Sequence, residues 1–308
     1  MGKIKKIKGG NTPFVSDDEE ILLTTSSRNT VYVYNLKTGK LMNSFKTVSN
    51  VSHVAMSPDK RLIAAKNTIG HMALVLAADG TEIFRNKMKE REGWGMRFLQ
   101  DSDSVLDIDW SGRTMVLDCK SGEAEVLDQG SNHLPRADYM HIDRFSGLIY
   151  KFMADNYGYS SGVVMVSPAD PNRIKYEPIK LFPELLPDHF PGISFCKTHN
   201  YHVDKENCQI VMTDKKFEEL KRIEMPEILK QEGYFPKGTF ISPSEKYVFF
   251  TTYKQLSLLY RLDSMKLVGE FDYEYVSNFT MIEDDTRFII TTWSGSYIGN
   301  VNDIGQIK

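Results

Sequence analysis

The stretch ISPSEKYVFFTT, which runs from Ile241 to Thr252, is a polar turn followed by a short run of β-branched and aromatic residues. The same layout returns as IEDDTRFIITT between Ile282 and Thr292. Short runs of this composition are typical of β-strands, and the polar residues before them mark the end of a preceding strand. The two stretches therefore predict strand–turn–strand units.

Equivalent polar turns divide most of the chain into units of similar length. The turns at Ser16, Ser57, Gln100 and Asp143 follow one another at intervals of roughly 41 to 43 residues, within the range that indicates a repeat architecture. A third strand follows in each unit, and Thr-Gly or Asp-Gly pairs, which tolerate the positive φ of tight hairpins, introduce a fourth. The sequence predicts units of four strands.

The segment between Asp143 and Ser242 is too long for one unit and fits two units with an insertion. Strands of the less regular unit are predicted at 192–196, 209–213 and 219–223. Six prolines lie between residues 167 and 191, and each removes a backbone donor from a sheet. An irregular Pro-rich insertion is therefore expected at about 167–191, and one helical turn is expected within 226–233.

The repeat length, with four strands per unit, resembles the WD-repeat propellers and the related YVTN-type repeats over essentially the whole chain. The nearest matches are residues 30–41 and 240–243, although no Trp-Asp dipeptide ends a third strand and no Gly-His pair opens a unit. The resemblance implies an all-β chain, with residues 1–308 forming a single domain. The expected fold is a seven-bladed β-propeller of four-stranded antiparallel blades.

Closure of such a ring requires the ends of the chain to meet, because an incomplete last blade would expose an unpaired edge. The alternating segment from Ile4 to Lys8 is predicted to pair with the strand near 297–301. We interpret its lysines as a solvated strand edge rather than as a patch for nucleic acid or lipid.

Composition excludes several classes of partner. The formal net charge is -3 and the pI is about 6.2, so no global field attracts nucleic acid or anionic membranes. Only three cysteines occur, without metal-ligand spacing, and the basic N-terminus lacks the apolar stretch of a secretory signal. A cytoplasmic, monomeric protein that binds neither nucleic acid nor membranes is expected.

No signature of catalysis is present. Phosphate-binding loops, nucleophile elbows and zinc-binding His-Glu-x-x-His helices do not occur, so no catalytic residue, cofactor or metal site is predicted. Asp107 and Asp109 share a strand face, but a loop-capping carboxylate is the commoner explanation for Asp109. Because YVTN-like relatives include lactonases, a channel-centred hydrolase is the alternative function, and its channel-facing candidates would be Ser52, His53, Arg97, Asp138, His141, Ser194 and Asn278.

The loops that follow the second strands favour a binding role, because they collect residue types that dominate interface energetics. The candidate interaction face consists of Arg28, Trp94, Arg97, Trp110, Tyr157, Tyr253 and Trp293. Two interpretations of its aromatic residues are open: the rings contact a partner, or they pack between neighbouring blades. We predict a non-catalytic scaffold that binds a protein or peptide, with sensing of a small ligand such as a sugar as a further alternative.

Overall fold

A computed structural model describes residues 4–26, 28–67, 69–87, 92–109, 114–128, 136–143, 145, 149–154, 160–167, 170–177, 193–282 and 285–304. The chain consists of two compact units, one formed by residues 8–178 and the other by residues 1–7 and 179–308. Strands account for nearly all of the regular structure in both units.

The described residues of the unit 8–178 form four antiparallel sheets, each built from four consecutive strands. The first two sheets comprise β2 (Gly10–Val15), β3 (Ile21–Thr25), β4 (Thr30–Asn35) and β5 (Lys40–Lys46), then β6 (Val51–Met56), β7 (Leu62–Asn67), β8 (His71–Leu76) and β9 (Glu82–Lys87). The next two comprise β10 (Glu92–Phe98), β11 (Ser104–Asp109), β12 (Thr114–Asp118) and β13 (Ala124–Asp128), then β14 (Arg136–Ile142), β15 (Ile149–Ala154), β16 (Ser160–Ser167) and β17 (Asp170–Glu177).

In the described part of the other unit there are three sheets of the same kind, and the last of them takes its fourth strand from the N-terminal segment. Its strands are β18 (Ser194–Phe195), β19 (Asn200–Asp204), β20 (Gln209–Thr213) and β21 (Glu219–Glu224), then β22 (Pro236–Ile241), β23 (Tyr247–Thr252), β24 (Leu256–Arg261) and β25 (Leu267–Asp272), then β26 (Val276–Ile282), β27 (Arg287–Thr292), β28 (Gly295–Asn300) and β1 (Lys5–Ile7). The predicted pairing of the terminal segments is present, because Lys6 lies opposite Tyr297 in an antiparallel register.

Burial changes systematically across each sheet. The second strands are almost wholly buried, as in β7 and β23, whereas outer strands such as β5 and β9 are largely exposed. Between neighbouring sheets the buried strands form continuous apolar layers, and Phe249 of β23 stacks on Phe279 of β26 with ring centroids 4.1 Å apart. Within each unit, the sheets whose side chains are described therefore bury apolar faces against one another, as the repeat predicted.

The polar turns that marked the repeat have one hydrogen-bonding scheme. In three of them the serine hydroxyl accepts a bond from the backbone N–H five residues later, namely from Ile21 to Ser16, from Leu62 to Ser57 and from Tyr247 to Ser242. The residue three positions after each of these serines has positive φ: Glu19, Lys60 and Glu245. These hydroxyls satisfy backbone donors that the sheet leaves open, which explains why the turns recur in the sequence.

A buried ion pair joins the second strands of two neighbouring sheets. The ammonium of Lys66 on β7 contacts the carboxylate of Asp107 on β11, and the two side chains are only 1% and 3% exposed. Asp107, one of the two carboxylates that share a strand face, thus has the Lys66 ammonium as a partner.

A second polar cluster joins the sheet of β18–β21 to the sheet of β22–β25. The Glu245 carboxylate accepts hydrogen bonds from the backbone N–H groups of Thr198 and His199, both at 2.9 Å, and from the Tyr201 hydroxyl at 2.8 Å. His199 Nδ1 lies 2.7 Å from Glu245 Oε2. Burial alone would raise the pKa of Glu245, but the hydrogen bonds from His199, Tyr201 and the backbone outweigh it and lower the pKa.

Replacing Glu245 with glutamine is expected to destabilise the protein by about 1–3 kcal/mol at pH 7, because hydrogen bonds to an ionised group are lost. A carboxyl whose pKa is lowered by folding stabilises the protein above its unfolded pKa, near 4.5, and loses that contribution as the pH falls through the folded value. The difference in urea midpoint between wild type and E245Q should therefore shrink on acidification from pH 7. E206Q, at an exposed carboxylate, is the matched control, and a pH-independent difference for E245Q would contradict the assignment.

Two segments differ from the sequence-based expectation. Residues 170–177, which lie within the irregular insertion expected at about 167–191, form the outer strand β17. Pro171 is tolerated there because an edge strand can spare an N–H. Residues 178–192 lie outside the described part, so the rest of the insertion stays a prediction. β19, the second strand of the sheet β18–β21, was not among the three strands located in the sequence of this unit. The helical turn expected within 226–233 is a 3₁₀ turn over Glu227–Lys230.

Candidate functional site

Three connections meet at one end of the last two sheets. The turn 253–255 joins β23 to β24, the segment 273–275 joins β25 to β26, and the turn 293–294 joins β27 to β28. The register places them together, since Asp272 lies opposite Leu256 and Val276 lies opposite Thr292. Each connection carries an exposed ring, and we call Tyr253, Tyr275 and Trp293 the aromatic surface.

Tyr275 and Trp293 form a stacked pair on this surface. Their ring centroids lie 5.4 Å apart and the ring planes are inclined by 18°. Trp293 is nevertheless 70% exposed and Tyr275 is 51% exposed, so the pair presents a broad apolar face to solvent. The interpretation that these rings pack between blades therefore does not hold for Trp293, nor for Tyr253, which is 51% exposed.

The backbone of Tyr275 is unusual for an aromatic residue. Its φ is 53°, in the left-handed region that bulky side chains enter only at a cost of roughly 1–2 kcal/mol. Glycine or asparagine would suit this conformation better. Tyr275 adopts this conformation in the short connection between β25 and β26, where its ring stacks on Trp293.

Cations already stack on other rings of this unit. The Lys254 ammonium lies 4.2 Å from the centroid of Tyr234, and the Lys6 ammonium lies 5.6 Å from the centroid of Tyr297. Tyr297 is also stacked on Tyr273 at 4.1 Å. Tyr234 and Tyr297 therefore each already hold a cation of this chain over the ring.

The other residues of the predicted face are distributed differently. Arg28 is exposed in the connection after β3, as expected. Arg97 is the penultimate residue of β10, and its guanidinium lies 3.1 Å from Asp17 Oδ2 in the turn before β3. Arg97 is therefore at the opposite end of the sheet β10–β13 from the loop that follows β11. Trp110 and Tyr157 lie outside the described residues, and so does the side chain of Trp94. The place of these three residues on the face therefore stays a prediction.

Some of the residues considered for a channel-centred enzyme have partners within the protein. The Ser194 hydroxyl accepts a hydrogen bond from the Ile241 N–H at 2.9 Å, and the Ser52 hydroxyl lies 3.1 Å from His53 Nδ1. Among the described residues, no group of three or more His, Cys, Asp or Glu side chains is arranged to hold a metal ion. No helix in the described part is long and apolar enough to cross a membrane.

The fold has a counterpart among solved structures. The β-propeller domain of Cps50 (Swd1) from Myceliophteria thermophila is similar with a TM-score of 0.67, over 97% of this chain and 99% of that domain, at 10% sequence identity. No family model and no curated protein matches the sequence. The likeness confirms the predicted class of fold, an all-β propeller built from four-stranded antiparallel sheets.

Proposed function

We propose that this chain is a non-catalytic, seven-bladed propeller that closes through its terminal strands and binds a protein or peptide. The observation that carries the proposal is the stacked pair of Tyr275 and Trp293, which is exposed although both rings are apolar. A propeller fold is compatible with this role and does not by itself assign it.

The energetics of association favour such a surface. A tryptophan or tyrosine contributes about 150–250 Å² of buried area when covered, and its few rotatable bonds limit the entropy lost on binding. Because Tyr275 already holds Trp293 by stacking, the pair is partly ordered before a partner arrives, which lowers the cost of binding. Tyr253 extends the apolar area at the same end of the sheets.

Replacing Trp293 with alanine is expected to weaken binding of a protein partner by at least about tenfold, as for a central aromatic contact. The experiment compares the proteins retained from a cell extract by the wild type, by W293A and by L220A, using quantitative mass spectrometry. Leu220 is a suitable control because it is 52% exposed on the outer strand β21.

A partner that is retained by wild type and L220A but lost with W293A supports the proposal, provided that the three proteins unfold at the same temperature. Identical retention by all three would remove this surface as the binding site. W293F should retain more of the partner than W293A, since the phenyl ring preserves part of the stack.

A further inference from the structure

We propose that the partner is a basic segment of polypeptide, in which an arginine or lysine side chain stacks on the Tyr275–Trp293 pair while neighbouring cations face carboxylates of β25. This inference rests on the proposed function and specifies the chemistry of the partner. Two independent features of the described residues carry it: the use of rings as cation acceptors, and the charge beside the exposed pair.

The first feature is the pattern of cation–π contacts in this unit. Within the described part, Tyr234, Tyr297 and Tyr247 each have a cation over the ring, supplied by Lys254, Lys6 and Arg261. Trp293 and Tyr275, the most exposed stacked pair in that part, have no such cation. Since the negative face of an indole ring attracts ammonium and guanidinium groups more strongly than phenol does, this pair is the best remaining acceptor.

The second feature is a row of exposed carboxylates that immediately precedes Tyr275 in the chain. Glu270, Asp272 and Glu274 occupy alternate positions along the end of β25 and the connection to Tyr275, and all three are exposed. No described cation forms an ion pair with any of them. Because Phe271 between them is buried, these alternate side chains share the solvent side of the strand.

Together the two features define a complementary partner. Exposed carboxylates steer and orient a cationic chain more than they hold it, whereas ring stacking and apolar burial supply most of the affinity. An acidic segment would be repelled by the carboxylates along β25, and an uncharged segment would gain no electrostatic attraction from them. A partner with basic residues near an arginine or lysine anchor uses the whole surface.

The test uses a phage-displayed library of random dodecapeptides, selected on the immobilised full chain and counter-selected on W293A. We expect the clones that depend on Trp293 to be enriched in arginine and lysine. Labelled synthetic copies, measured by fluorescence anisotropy, should bind W293A at least about tenfold more weakly, and should bind the triple variant E270Q/D272N/E274Q more weakly by a smaller factor. E206Q and L220A, which change exposed residues elsewhere, should bind as the wild type does.

Raised salt should weaken binding to the wild type and have less effect on the triple variant, because exposed charges are screened. Trp293-dependent clones without basic residues would overturn the basic partner and leave a peptide-binding function standing. Absence of any Trp293-dependent clone would also overturn it, and the affinity purification above then decides separately whether a protein partner exists. Binding of a neutral glycan that W293A abolishes would overturn it in favour of a sugar ligand.

Discussion

Replacing Asp107 with alanine is expected to lower the free energy of unfolding by about 3–5 kcal/mol, the usual cost of removing one partner from a buried ion pair. The Lys66 ammonium is 1% exposed and would lose the carboxylate that compensates its desolvation. It cannot reach solvent without disturbing β7, whose residues are all buried. Urea unfolding followed by circular dichroism measures the effect.

The double variant K66M/D107L separates the charge from the packing. Apolar side chains of similar size remove both ions, so this variant should be more stable than D107A, and a double-mutant cycle should give a large coupling energy. E206Q controls for the loss of a carboxylate at an exposed site. If D107A unfolded within about 0.5 kcal/mol of the wild type, the range usual for surface substitutions, the pair would have no stabilising role.

Gly299→Ala is expected to destabilise the protein by about 1–3 kcal/mol through overpacking. A methyl group on Gly299 of β28 would lie 2.5 Å from Cζ of Phe288 and 2.9 Å from Cγ1 of Ile4. Phe288 is fully buried in the apolar layer, so its ring has no free space to enter. The strain therefore falls on Ile4 and the terminal strand β1, which should be displaced.

Gly295→Ala, in the same strand, is the matched control. The added methyl group would lie 3.0 Å from Cε of Lys6, the end of a flexible side chain, and 3.4 Å from the carbonyl oxygen of Ile7. Its thermal midpoint should stay close to that of the wild type, and hydrogen exchange at Lys5–Ile7 should accelerate only in G299A. Equal shifts for the two variants would contradict a steric role for Gly299.

The regular part of the fold could be predicted because its signals are local. Ser16, Ser57 and Ser242 each accept a hydrogen bond from a backbone N–H only five residues later. Because these turns depend on nearby residues, the repeat can be recognised in the sequence. The strand β19 was missed because its residues Asn200, His202 and Asp204 resemble a loop. Their burial depends on distant groups, such as the Arg222 guanidinium that contacts Asp204 from β21.

Only part of the candidate site could be predicted, because only some of its residues have a local signal in the repeat. Trp293 and Tyr253 follow second strands and were identified from the repeat. Tyr275 lies between two sheets, outside any repeated position, and only the stacking on Trp293 and the positive φ distinguish it. Arg97 lies at the other end of its sheet, where it contacts Asp17, and no local signal in the repeat indicated that contact.

The pairing of Lys6 with Tyr297 has a consequence for biosynthesis. Translation produces β1 before β2–β27 and β28 after them, so the two paired strands are separated in sequence by all the other described strands. The entropic cost of bringing β1 and β28 together grows only logarithmically with their separation in sequence. Contacts between residues so far apart in sequence nevertheless form slowly. Until β28 has been synthesised and has paired, β1 has no partner strand and can pair with other molecules, so a requirement for chaperones should persist until that pairing is complete.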